Sequence, residues 1–283
     1  MSAVESVDQQ FEFVRQLARD LNAGSINLPS FPAVIIKIRD MLEDEECDFA
    51  RLGETVSADA ALVSRLFIFA NSTYHNRTGD KVTSLHDAIS RLGLELVRNT
   101  ALALAIKQLA LSDKHRSIAP HLKRVWILSM RLSSLAHAVA SYVPNVRDED
   151  AFMCGLFHEI GKVYILTKAR DFPGFLDDVN SLNSVLDEWH TQIGQCIVEA
   201  WGFPGEIVRS MAPGEHFNGR THVEPELIDT VLGATLLHQT DEDNWPELMT
   251  EPVFRKLGIS TDKLAELGDR NRLKLDSIQQ SLS

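Results

Sequence analysis

Apolar residues recur every three or four positions along most of the chain, the period of α-helices that turn one face to a core. Val7, Phe11, Val14, Leu17 and Leu21 form the first such stripe. Ser6 with Gln9 three positions on reads as a capping box and Gly24 as a stop, so a helix is predicted between them. The segment Leu28-Pro29-Ser30-Phe31-Pro32 interrupts the period. Val34, Ile35, Ile38, Met41 and Leu42 restore it on a short helix started near Pro32. Further helices are predicted from Ser57 (Ala60, Val63, Leu66, Phe67, Ala70), from Ser84 (Leu85, Ala88, Ile89, Leu92, ended by Gly93) and from Glu95 to about Leu111.

Pro120 opens the longest predicted helix, through Val125, Trp126, Ser133 and Ala140 towards Pro144; its small residues suit close crossing by other helices. A helix carrying Phe152, Leu156 and His158 follows the polar loop Asn145 to Asp148. Another carries Leu182, Leu186, His190, Ile193 and Ile197 and stops before Gly202 and Pro204. The last strongly apolar helix, Leu227 to Leu237, precedes an acidic loop, Asp241 to Asp243, and a weakly amphipathic tail around Val253, Leu257, Leu264 and Leu267. No strand alternation interrupts the series, so the fold class is all-α. The polar stretch Ser112 to Ala119 is the expected boundary between two helical lobes.

Composition narrows the function. The 283 residues suit one large or two small domains, and 44% hydrophobic with 24% charged residues describes an ordinary globular chain. Lys+Arg 28 against Asp+Glu 40 leaves a net charge of −12, which argues against nucleic acid or an anionic membrane as a general partner. The acid run Glu43 to Asp48 reads as a solvated turn. MSAVESVDQQ lacks the basic start and apolar stretch of a secretory signal, and Cys47, Cys154 and Cys196 include no CxxC pair, so reduced thiols in the cytoplasm are expected.

There is no phosphate-binding glycine loop, no GxSxG elbow and no paired CxxC zinc site. His158-Glu159 resembles the start of a zinc-protease HExxH, but Lys162 stands where the second His would be. His158, His190 and His216 remain: imidazoles on separate helices that either meet around a divalent ion in a bundle core or serve as hydrogen-bonded core residues. Trp126, Trp189 and Trp201 occupy helix positions suited to burial. Trp245 beside Pro246 reads as loop-borne and, if exposed, as a partner contact.

Six pieces in order then resemble one family. They are Leu28-Pro29-Ser30-Phe31-Pro32; Ala88-Ile89-Ser90-Arg91-Leu92-Gly93; Trp126 with Ser129; Gly155-Leu156-Phe157-His158-Glu159-Ile160-Gly161-Lys162; His190 with Gly194; and Trp201-Gly202-Phe203-Pro204 before His216. The chain resembles an HDOD domain, a divergent relative of the HD superfamily of metal-dependent phosphohydrolases, from Leu28 to Leu237. The resemblance implies residues 1–27 as an N-terminal helix and 28–237 as the domain, with lobes 28–115 and 120–237, the second an HD-like helix bundle. Residues 238–283 would be a helical tail.

Carried over position by position, the resemblance places Leu128 where catalytic relatives have a first His, and Thr235 where they have a final Asp. The His-Asp doublet becomes His158-Glu159, His190 is kept, and the later His pair becomes Glu215-His216. Two metals about 3.5–4 Å apart would lack two anchors. One divalent metal (Fe, Mn, Zn, Ni or Mg) on His158, His190 and His216 with Glu159 or Glu215 stays chemically reasonable. The resemblance therefore implies a bacterial signal-transduction or regulatory module that acts by binding a signalling protein or small ligand. The alternative is a residual metal-dependent phosphohydrolase of a nucleotide or phosphate ester, with Glu159 or Glu215 as proton acceptor and Lys162 meeting a phosphate.

Overall fold

The computed structural model describes residues 3–22, parts of 53–107, 117–217 and 224–282. The loop Leu28 to Pro32, the helix expected over Val34 to Leu42, the acid run and Cys47 lie outside the described residues. Among the described residues every regular element is helical and none is a strand. No helix among them is long and apolar enough to cross a membrane.

The chain divides into two compact units, one of residues 1–30 and 110–268, the other of residues 31–109 and 269–283. In the first, α1 (Ala3–Asn22) begins ahead of Ser6, so Ser6 does not start it. It groups with the later helices rather than standing apart. Phe13 is buried against the rings of Phe172 (centroids 5.4 Å) and Phe175 (4.7 Å), and Asp20 Oδ2 accepts from the Tyr164 hydroxyl at 2.8 Å.

In the second unit, α2 (Ala60–Ala70) and α3 (Leu85–Leu92) pack on each other. Ser84 caps α3 by accepting from the Asp87 amide at 3.0 Å, and Gly93 ends it at φ 82°, a backbone that favours glycine. Arg91 holds the junction by donating to the carbonyls of Ala70 (3.3 Å) and Asp80 (2.9 Å). The Ala88–Gly93 piece therefore builds a helix corner.

The first unit continues with α4 (Ala119–Ala140), which has Pro120 in its first turn. Along it packs α5 (Asp148–His158), whose first turn places Asp148, Glu149 and Asp150 at the positive helix end. After one residue comes α6 (Ile160–Ala169), then the single turn α7 (Pro173–Leu176), then α8 (Val179–Ala200). Asp178 caps α8 by accepting from the Ser181 amide at 3.2 Å.

Beyond two short helices, α9 (Gly205–Arg209) and α10 (Pro213–His216), α11 (Leu227–Gln239) packs on α4 and α5. Its capping box is built by Glu226 and Asp229. The chain then forms α12 (Trp245–Leu248), α13 (Pro252–Leu257) and α14 (Leu264–Leu282). Asp229, wholly buried, meets Lys256 Nζ of α13 at 2.6 Å, a buried ion pair that binds α13 to α11.

Candidate functional site

The helix from Asp148 ends at His158 and the next begins at Ile160, so Glu159 alone forms the joint, at φ −89° and ψ 2°. That sparsely populated backbone region is common at functional turns. Glycines flank the doublet and let other backbones reach it. A Cβ on Gly155 would stand 2.6 Å from the Ser133 Cα of α4, and one on Gly161 would stand 2.0 Å from the His190 carbonyl oxygen of α8. The second approach delivers His190 to His158, with ring centroids 5.5 Å apart and planes at 62°. Behind the doublet, Phe157 meets the rings of Trp201 (5.9 Å) and Phe203 (5.1 Å) edge-on.

His158 and Glu159 are buried, at 4% and 5% exposure. Glu159 uses one oxygen on each side: His158 Nδ1 lies 3.3 Å from Oε1, and Lys162 Nζ, one turn on, lies 2.8 Å from Oε2. Burial alone would raise the Glu159 pKa. The hydrogen bond from His158 and the Lys162 charge outweigh it and hold the carboxyl well below the usual carboxylate range.

His190 Nδ1 lies 2.8 Å from the Leu186 carbonyl oxygen, which can only accept, so Nδ1 carries the proton and Nε2 keeps its lone pair. Burial pulls the His190 pKa down to about 4, against the opposing charge of Glu159, and the ring is neutral at pH 7. A ligand atom each from His158, Glu159 and His190 lie within 4.8 Å of one another. Two imidazoles and one carboxylate form a donor set suited to a single borderline divalent ion.

These side chains open into a cavity of about 450 Å³. Leu128 and Leu132 of α4, Asp187 of α8, and Thr235 and His238 of α11 complete its wall. The two positions at which ligands are expected to be lost thus face the same cavity as the doublet. Leu128 offers carbon only, and the Thr235 hydroxyl donates to the Val231 carbonyl at 2.8 Å. Among the described residues, His158, Glu159 and His190 fit one metal ion, while Leu128 and Thr235 offer no charge to hold a second.

Glu215 and His216 belong to α10, but their side chains lie outside those described. Lys162 lines the cavity, its ammonium 2.8 Å from Glu159 Oε2 and 3.5 Å from Asp187 Oδ1. Trp245 requires a correction. It opens α12 rather than lying in a loop, is 4% exposed, and donates its indole N–H to the carbonyls of Leu237 (3.0 Å) and Thr240 (3.2 Å). It is core, not a partner contact.

His238 escaped the sequence reading. Burial lowers its pKa, with Glu159 opposing and Arg131 assisting. Its spacing of three from Thr235 on one helix face was the available signal.

A family model described as the HDOD domain matches residues 28–216. The chain belongs to the HDOD domain family. The match ends before α11, so the Thr235 and His238 wall of the cavity lies outside the matched residues. An uncharacterized protein of Treponema pallidum (strain Nichols) is 21% identical over 221 residues, which cover 74% of this chain and 42% of that protein. The HDOD chain thus spans about two fifths of the length of the curated relative it matches.

Three solved structures are similar to it. A candidate metal-dependent phosphohydrolase from Shewanella amazonensis SB2B has a TM-score of 0.76 at 20% identity, over 98% of this chain and 100% of that one. An HDOD domain protein of unknown function from Geobacter sulfurreducens has a TM-score of 0.67 at 17% identity, over 97% and 99%. A candidate signal transduction protein from Marinobacter aquaeolei VT8 has a TM-score of 0.66 at 20% identity, over 95% and 65%. At these identities the likeness establishes the HDOD fold.

Proposed function

We propose that this HDOD chain is a regulatory module that works by binding a signalling protein or a small ligand, and that it does not hydrolyse phosphodiesters through a two-metal centre. One observation carries the reading: Leu128 and Thr235, which line the cavity that holds His158, Glu159 and His190, offer no charge to a second metal, and Leu128 offers no lone pair either. The Marinobacter structure, named as a signal transduction protein, supports the regulatory side by likeness of fold.

A residual one-metal phosphohydrolase is the second reading. It is favoured by the bare Nε2 of His190 and the ionised Glu159, and by the name of the Shewanella structure. A metal held by His158, Glu159 and His190 would supply Lewis acidity and a bound water nucleophile. The chain's own contribution would be Glu159 as proton acceptor in a site walled by Leu128 and Leu132.

The test is metal content per chain and hydrolysis of bis-p-nitrophenyl phosphate and a cyclic dinucleotide, with added Mn²⁺, on tag-free protein. A His158→Ala, His190→Ala double variant serves as background. The expected result is turnover no higher than that variant. Metal-dependent turnover lost in the variant would overturn the binding reading.

A further inference from the structure

The cavity already holds a cation of the protein's own. Lys162 sits in the first turn of α6, three residues after the Glu159 joint, and its amide donates to the Glu159 carbonyl at 3.0 Å. That backbone bond fixes the lysine stem over the carboxylate. Its ammonium reaches Oε2 at 2.8 Å with only 14% of the side chain exposed, and the carboxylate itself is 7% exposed. Glu159 Oε1 faces His158, while the buried Oε2 has the Lys162 ion pair and no hydrogen bond among the described residues.

The only anion in the trio His158, Glu159 and His190 is therefore neutralised from within. Asp187, the ammonium's other neighbour at 3.5 Å, is 75% exposed and too screened by solvent to hold it alone.

Resting on the reading that the pocket does not run two-metal hydrolysis, we propose that the Lys162 ammonium is the resident cation of this cavity. It occupies the charge of Glu159 and keeps His158, Glu159 and His190 from loading a divalent ion that the same three residues would bind without it. An incoming ion must displace the ammonium from a buried carboxylate or share that carboxylate with it. Both are unfavourable where the effective dielectric is about 20 rather than 80. Lysine suits the role as a compact point charge on a flexible stem. The arrangement gives the family scaffold a metal-free resting state whose shape is kept by an internal ion pair.

The test titrates metal-free protein with Zn²⁺ and with Co²⁺, by calorimetry and by the Co²⁺ ligand-field spectrum. It compares wild type with Lys162→Met, which keeps the stem, and Lys162→Gln, which keeps a hydrogen-bond donor without the charge. The expected result is binding at least about tenfold tighter in both variants, about 1.4 kcal/mol or more, with a Co²⁺ spectrum that disappears when His158→Ala is added. Affinities equal within about threefold, or tighter in wild type, would overturn the proposal. If Met fails to fold, Gln decides alone.

The hydrolysis assay separates this proposal from the reading beneath it. Equal affinities with no turnover sink the lysine proposal only, whereas metal-dependent turnover by wild type sinks the binding reading.

Discussion

Replacing Gly161 by alanine tests whether the site is assembled by backbone contact between α6 and α8. The added Cβ would lie 2.0 Å from the His190 carbonyl oxygen, 2.8 Å from the carbonyl carbon and 2.9 Å from the Cα, where ordinary contact begins at 3.4 Å. The shortfall of about 1.4 Å is against backbone, so no side chain can rotate away and α8 itself must withdraw. Alanine would gain about 1 kcal/mol of helix propensity. Overpacking costs of about 1–3 kcal/mol apply at their upper end or beyond when the obstacle is a main chain.

The net expectation is a loss of about 2 kcal/mol, or a fall in Tm of about 4–8 °C, read by urea and thermal unfolding followed by circular dichroism. Gly155→Ala, whose nearest contact is 2.6 Å from the Ser133 Cα, should be similarly costly. Gly214→Ala, with nothing within 4 Å, should be neutral or stabilising by about 0.4–1 kcal/mol. A Gly161→Ala protein within about 0.5 kcal/mol of wild type would refute the claim that this contact sets the position of His190.

Acid should weaken the fold in a defined window. His190 is held near pKa 4 by burial while the unfolded chain takes up its proton near 6.5, so stability present above that value falls between about pH 6.5 and 4, by up to about 3 kcal/mol. Urea midpoints across this range should flatten in His190→Gln, and an unchanged slope would count against the assignment. Asp229→Ala removes the buried carboxylate that Lys256 meets at 2.6 Å and should cost about 3–5 kcal/mol in urea unfolding. The Asp229→Leu, Lys256→Met pair should recover most of that loss. Cys154 is buried, and burial pushes its thiol well above the ordinary range, so it should resist iodoacetamide in the native protein by mass spectrometry and react only after unfolding.

What could be read in advance was what leaves a period. The helices bearing His190 and Thr235 each turn an apolar stripe inward, and both were visible. The helix Ile160–Ala169 was not, because Ile160, Val163, Tyr164, Ile165 and Leu166 are all buried and little polar face remains to set a rhythm. Pro246 led Trp245 to be placed in a loop, although proline in a first turn is as much a helix start. The Asp229–Lys256 pair joins helices 27 residues apart and leaves no local trace. His238 shares its helix with Asp229, Thr230 and Thr235, and only the cavity shows that it lines the same space as Glu159.

The doublet shows the same limit in chemical rather than periodic terms. From the sequence, Glu159 in place of Asp looks like a small change of reach at a metal site, and Lys162 like a residue whose stem snorkels outward. In the fold the two residues act as one unit. The joint at Glu159 puts residue 162 a single turn away on the same side, and its ammonium meets the carboxylate at 2.8 Å. The ion pair then has the burial that gives it weight, because Gly161 brings α8 down over it and Leu128 and Leu132 wall the cavity. Under the proposal, the uncharged Leu128 and Thr235 positions and the internal Lys162 cation act in the same direction, each against metal binding. Fold and chemistry are separable in such a scaffold, because the helix packing around His158 rests on backbone approach at Gly155 and Gly161 and not on what the cavity holds.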